Sequence, residues 1–122
     1  MDATDKVRLA DKFARFDDHW HPRIVGQVND MHLKVARLLG TFDWHVHDDE
    51  DELFLVHRGS LLIRLRDRDV RIDEGEFFIV PRGVEHQPVA EEEVELVLIE
   101  PVGTVNTGNA ESDRTLRDLE WI

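Results

Sequence analysis

Cysteine is absent from the 122 residues. That excludes disulfide staples, thiolate metal ligands and cysteine nucleophiles, and leaves nitrogen and oxygen as the donors for any metal. It is compatible with a reducing cytoplasm, where the protein is expected to reside. Basic charge is scarce as well: 15 Lys and Arg face 27 Asp and Glu, for a formal net charge of -12. Such a balance repels phosphate backbones and anionic headgroups, so neither nucleic acid nor a membrane is an expected partner. Long apolar runs are also missing. No stretch approaches the roughly 20 residues that cross a bilayer, and the opening MDATDKVRLADKFARF lacks the apolar run of a signal peptide.

What is present suits one globular unit. Hydrophobic residues are 41% and charged residues 34% of the chain, an ordinary mixture for a folded protein. A chain of this length is expected to form one domain over 1–122 and to bury roughly two-thirds of its unfolded surface.

Val7, Leu9, Ala10, Phe13 and Phe16 recur at three- and four-residue spacing, which predicts an amphipathic helix over 5–16, with Thr4 as N-cap and Pro22 beyond its end. After Pro22 the texture changes to short apolar or alternating stretches. Ile24 to Val28 and Leu33 to Leu39, split by Asn29 and Asp30, read as a hairpin. Trp44 to His47, Glu52 to His57, Leu61 to Leu65, Val70 to Ile72, Glu76 to Val80 and Val94 to Glu100 are strand-sized and divided by Gly, Asp or Pro. The acidic runs Asp48 to Glu52 and Glu91 to Glu93 are expected to be solvated turns. Many short strands without intervening helices predict an all-β antiparallel sandwich or barrel over about 23–101. The turn-rich segment over about 102–122 is expected to cap it.

One constellation carries chemistry. Residues two apart on a strand face the same side, so His45 and His47 present two imidazoles together, with Trp44 expected in the core behind them. Glu52 begins the next apolar strand, and the residues between can form a hairpin turn that returns its carboxylate to the imidazoles. His86 follows the Pro81 and Gly83 turn as a fourth candidate. Three imidazoles and a carboxylate suit one divalent transition-metal ion per chain, among Fe, Mn, Co, Ni, Cu and Zn, and six-coordination would leave two positions for water, oxygen or substrate. Phe54 and Val56 share the phase of Glu52 and are candidates to line the pocket, whereas His57 is one residue out of phase and should face outward. His19, His21 and His32 are expected at the surface or an interface, although His21 with Trp20 could reach the mouth as a lid. Glu85 is a candidate for proton transfer.

These residues resemble the cupins. The first motif of that family, a glycine, His-x-His, a glutamate and a second glycine, is matched by Gly40, His45, His47, Glu52 and Gly59. Its second, a glycine, Pro-x-Gly, a histidine and an asparagine, is matched by Gly75, Pro81, Gly83 and His86, with Ala90 in place of the asparagine. The first motif is one residue shorter than usual after Gly40. DELFLV, GEFFIVPRGVEH and EPVGTVNTG also resemble small single-domain bacterial cupins. The resemblance implies a jelly-roll β-barrel, a metal inside its mouth held by His45, His47, Glu52 and His86, a small-molecule ligand and a homodimer. It implies no single reaction, because this barrel serves many chemistries. A metal-dependent enzyme acting on a small polar metabolite, either dioxygenase-like or a sugar isomerase or lyase, is the first expectation. A non-catalytic module that binds or senses a ligand is the second. Outward-facing Leu53 and Leu55, with the N-terminal hairpin, point to the pairing of two copies.

Overall fold

In the computed structural model, which describes residues 5–122, apolar side chains alternate along each long strand, and that alternation builds the molecule. The elements in chain order are helix α1 (Leu9–Phe13) and strands β1 (Arg23–Val28), β2 (Met31–Thr41), β3 (Glu52–Arg58), β4 (Ser60–Leu65), β5 (Asp69–Asp73), β6 (Phe77–Val80) and β7 (His86–Pro101). All the strand pairings are antiparallel. The sheet runs β1-β2-β7-β3-β6, and β4 joins it by pairing with β5 and β7. The fold is an all-β antiparallel jelly-roll barrel with a short N-terminal helix.

Strand β7 turns the corner of the barrel. Its first half pairs with β4, from Leu65↔His86 to Leu62↔Val89, and its second half pairs with β3, from Arg58↔Glu95 to Leu53↔Ile99. Between the halves, Leu38↔Val94 gives way to Gly40↔Ala90 across the β2 pairing, so Glu91–Glu93 bulge opposite a single residue. The second acidic run is therefore not a turn between strands. It lies inside one long strand at its bend, exposed, with Glu93 bound to Arg37 and His19.

Odd and even positions sort into two cores. Ala36, Leu38, Phe54, Val56, Val94, Leu96 and Leu98 face into the barrel with Leu61, Ile63 and Ile72. Val35, Leu55 and Val97 face outward and pack with Phe13, Phe16, Val25 and Ile122 into a second cluster. Ala90, where cupins usually carry an asparagine, is part of the barrel core and fully buried.

The helix is shorter than its periodicity predicts. Arg37 reaches across from β2 and donates to the carbonyls of Phe13 (2.9 Å) and Phe16 (3.0 Å). The carbonyls at its C-terminal end thereby gain a partner outside the helix. Arg8, not Thr4, precedes the helix, without a side-chain cap; Thr4 lies outside the described residues. Leu55, expected at a dimer contact, is covered by this N-terminal segment.

Asp18 joins the same edge by a two-pronged ion pair with Arg23. The Arg23 hydrogen bond lowers the Asp18 carboxyl below its ordinary value, against a smaller opposing effect of burial. A carboxyl lowered in the folded state adds stability above its unfolded value and loses it as the pH falls through the folded value. Asp18→Asn is therefore expected to shrink the loss of melting temperature on acidification from about pH 5 to about pH 2.5. An unchanged acid limb would count against a contribution from this pair.

Candidate metal centre

The site forms where β3, the start of β7 and the loop before β3 meet. Glu52 opens β3 and His86 opens β7. His45 and His47 do not sit on a strand, as their spacing predicts, but on a loop held from three sides. His45 and His86 exchange backbone hydrogen bonds of 3.0 and 2.9 Å, and His47 carbonyl accepts from the Gly83 amide at 2.8 Å. Asn109 accepts from the Val46 amide through its side chain and donates its own amide to the Val46 carbonyl. These bonds aim both imidazoles inward without a ladder.

Gly108 makes that embrace feasible. At φ +54, a Cβ there would lie 2.3 Å from the Val46 carbonyl oxygen and 3.3 Å from the His45 ring. Gly108→Ala must therefore push back the loop carrying His45 and His47. It is expected to lower the melting temperature and to weaken Co2+ binding by about 10-fold or more, as loss of an outer support does at other metal sites. Unchanged Co2+ affinity in a titration would show that the loop does not need this contact.

The four side chains converge. His45, His47, Glu52 and His86 are all buried, and each offers a ligand atom within 4.8 Å of those of the others. Glu52 Oε1 stands 3.4 Å from His47 Nε2 and 3.3 Å from His86 Nε2. His45 Nδ1 donates to the Asp43 carbonyl at 2.8 Å and His86 Nδ1 to the Val84 carbonyl at 3.0 Å. Each bond fixes its tautomer and turns an Nε2 lone pair toward the centre. Burial first, then the nearby His86, lowers His45 to about 4, so its imidazole is neutral at physiological pH. Burial also opposes charge on His47, but the Glu52 carboxylate outweighs it and raises that group.

The decisive feature is what these atoms lack. His47 Nε2, His86 Nε2 and Glu52 Oε1 are buried with no hydrogen-bond partner. Buried polar atoms are nearly always satisfied, and three orphans directed at a common point fit a cation. The donor set of three imidazoles and one carboxylate fits a divalent transition metal.

A Cupin domain family profile matches residues 37–101, more than half of the chain. The chain belongs to the cupin family. A cupin-2 domain containing protein from Shewanella frigidimarina is 42% identical, with a TM-score of 0.77 over 78% of this chain and 93% of that one. Protein NMB1881 from Neisseria meningitidis is 30% identical, with a TM-score of 0.74 over 80% of this chain and 99% of its own. YdbB of Bacillus subtilis is 36% identical over 64 residues, which are 52% of this cupin and 57% of that protein's length.

Beside His45 and Glu52, the barrel of this cupin opens into a cavity. Phe54 stands on its wall with Leu38, Phe42, Leu96 and Leu98, and His45, Glu52, Glu100 and Asn106 supply its polar lining. Val56, on the same face as Phe54, is fully buried and does not reach the cavity wall. Trp20 lines the cavity too. Its left-handed backbone, φ 60, is held by the Trp20 amide donating to Arg37 and the indole donating to Leu39, and its ring stacks on Phe42 at 4.7 Å. His21 does not join it, being turned outward to Asp18.

Other sequence expectations need correction. Trp44 is not in the core: it lies half-buried under the guanidinium groups of Arg64 and Arg66, a stacking that places it outside the barrel. Glu85 is exposed and paired with Arg66, since its neighbour His86 takes the inward phase. His32, expected at the surface or an interface, is buried edge-on against Trp121 and so is not a surface residue. His57 does face outward, stacked on Phe13 and bound to Glu95.

Glu100 and Lys34 went unnoticed in the sequence. Both are 2% exposed and inside the barrel, with Lys34 Nζ 2.7 Å from Glu100 Oε1. Burial and the nearby Glu52 carboxylate push the Glu100 carboxyl well above its ordinary range, and Lys34 pulls against them. The available signal was strand parity, because Glu100 has the phase of Val94, Leu96 and Leu98, and Lys34 that of Ala36 and Leu38.

Proposed function

We propose that this cupin holds one divalent transition-metal ion through His45, His47, Glu52 and His86 and acts with it on a small molecule seated in the adjoining cavity. The observation that carries this reading is the set of buried atoms without partners on His47, Glu52 and His86, within 4.8 Å of one another and of a ligand atom of His45, next to the cavity that His45 and Glu52 line. A bound ion would supply Lewis-acid polarisation of a substrate oxygen or, if redox-active, electron transfer.

The chain's own residues do the rest. The carbonyls of Asp43 and Val84 hold two imidazoles in register. Phe42, Phe54 and Trp20 line the cavity that receives the small molecule and keep water from it. The reaction classes that fit are dioxygenase-like oxidation and isomerisation or elimination at an oxygen-bearing carbon.

Elemental analysis of protein purified without added metal, followed by turnover assays with Fe2+, Mn2+ and Zn2+, tests the proposal. About one ion per chain is expected, with substrate consumed by the loaded form. Absence of any bound ion and of saturable uptake would overturn it.

A non-catalytic binding role is favoured by one observation. Glu85, the proton-transfer candidate in the sequence, points away, and the titratable groups on the cavity wall are His45, Glu52 and Glu100. A ligand that raises the melting temperature and is recovered unchanged after long incubation would assign that role.

We further propose that two copies pair through the outer sheet face. Gly26, Leu33, Ile99, Leu53 and Ile79 lie in cross-strand register, forming a row over five strands. Phe77 and Ile79 on the edge strand β6 are 61% and 46% exposed. An apolar row ending at an unpaired strand edge suits a second copy. Ile79→Glu is expected to convert a two-chain species into one of 14.2 kDa in light scattering. A parent protein already of that mass would contradict it.

A further inference from the structure

Glu100 stands out among the buried groups that no structural role exhausts. Lys34 Nζ donates to its Oε1 at 2.7 Å and lies 3.4 Å from the Thr104 carbonyl. Its second oxygen, Oε2, is buried with no partner, and the residue forms part of the cavity wall together with His45 and Glu52. The β3–β7 register runs to Leu53↔Ile99, and the two carboxyl side chains next in line, Glu52 and Glu100, stand beside each other. An acid has therefore been placed on the cavity wall next to the four-residue group, anchored from behind by a buried ammonium, with its second oxygen unpartnered and the Glu52 carboxyl beside it.

A purely structural ion pair has no need of that free oxygen. Buried carboxylates generally satisfy both oxygens, because each orphan costs about 1–3 kcal/mol. With Glu52 engaged by a cation, a ligand in the cavity is what would satisfy it.

We infer that Glu100 Oε2 is a ligand-positioning group, which hydrogen-bonds a hydroxyl borne next to the ligand atom that meets the metal. This rests on the metal reading above and narrows its substrate class. A hydroxyl both donates and accepts, so it suits Glu100 as a carboxylate or as an acid. Charge specifies the other ligand group. A divalent ion and Lys34 outweigh Glu52 and Glu100 together, so the site favours an anionic oxygen such as a carboxylate.

The walls specify the body. Ala36, Leu38, Phe42, Phe54, Leu96 and Leu98 offer no hydrogen bonds to a chain of hydroxyls. The ligand class is a compact hydroxy acid with an apolar side group, and not a polyhydroxylated sugar.

Mandelate and phenylacetate, which share a carboxylate and a phenyl body and differ by one hydroxyl, provide the probes. Their affinities for the Co2+-loaded full chain are read from changes in the visible Co2+ spectrum. Mandelate is expected to bind the parent at least 10-fold more tightly. In Lys34→Met/Glu100→Leu, which removes the acid with its counter-charge, Co2+ affinity is expected to stay within about threefold while most of the hydroxyl preference disappears. Should that variant not fold, Lys34→Met/Glu100→Met uses unbranched side chains that adapt to irregular space and carries the same expectation.

A parent without hydroxyl preference, or a variant that keeps it while binding Co2+ normally, would overturn the role of Glu100 and leave the metal reading standing. A parent that binds no Co2+ would overturn both.

Discussion

Glu52→Gln is expected to lower metal affinity by about 100-fold and to lower the stability of the metal-free chain as well. The two effects have one cause. The carboxylate is 4% exposed, stands 3.3–3.4 Å from two imidazole nitrogens and lies beside Glu100. With a cation in place, that concentration of donors is the binding energy. Without one, burial opposes the charge on Glu52, but Glu100, His47 and His86 beside it outweigh that and hold this carboxyl well below its ordinary range, while burial and the Glu52 charge push Glu100 well above.

The amide keeps the shape and removes the charge. A carboxyl lowered in the folded state adds stability at neutral pH, and its loss here should be about 1–2 kcal/mol, or several degrees of melting temperature in a chain of this size. Calorimetry of chelator-treated protein with a parallel Co2+ titration reads both. A variant as stable as the metal-free parent would show that the carboxylate does not support the fold by itself. Saturating metal should stabilise the parent by about 4 kcal/mol at a thousandfold excess over the dissociation constant, and the variant far less.

Lys34→Ala should be the most damaging single change in the barrel interior. Removing one partner of a buried pair leaves the other uncompensated, at a cost of about 3–5 kcal/mol. Glu100 would then confront Glu52 without its cation, both fully enclosed. A fall in melting temperature of roughly 10–20 °C is expected.

The sign should reverse when both members are replaced. Lys34→Met/Glu100→Leu substitutes apolar volume for the pair, and such replacements are often neutral or stabilising, so its melting temperature should lie well above that of Lys34→Ala. A single variant that loses less than about 1 kcal/mol would mean that water already reaches this pair. The comparison also separates the two roles of Glu100: the double variant recovers the fold but not the hydroxyl preference.

Much of this was legible in residue order, because a strand's period of two is simple to read. Glu52, Phe54 and Val56 share one face and Leu53, Leu55 and His57 the other, as their alternation requires. The hairpin turn at Asn29 was readable from residue type, and Asn29 takes a positive φ of 50. The motif spacings identified four residues that the fold brings within 4.8 Å.

What escaped depends on contacts between distant segments. His45 and His47 look like strand residues, but their loop takes its shape from Gly108 and Asn109, some sixty positions later. Arg37 shortens α1 from across the sheet, and Arg64 and Arg66 draw Trp44 out of the core. The bulge at Glu91–Glu93 looks like a turn because a bend in a strand and a break between strands expose the same residue types. Lys34 and Glu100 were hidden by the expectation that charge stays outside; their partnership spans 66 positions and exists only once β2 and β7 are paired.

The account stands on a cation meeting the orphaned donors, and an anomalous-scattering map of Co2+-loaded crystals tests that most directly. One strong peak is predicted per chain, about 2.0–2.2 Å from an imidazole nitrogen of each of His45, His47 and His86 and from a Glu52 oxygen. A loaded crystal without a peak there, or with its Co2+ on the exposed carboxylates of Asp48, Asp49 and Asp51 instead, would contradict it.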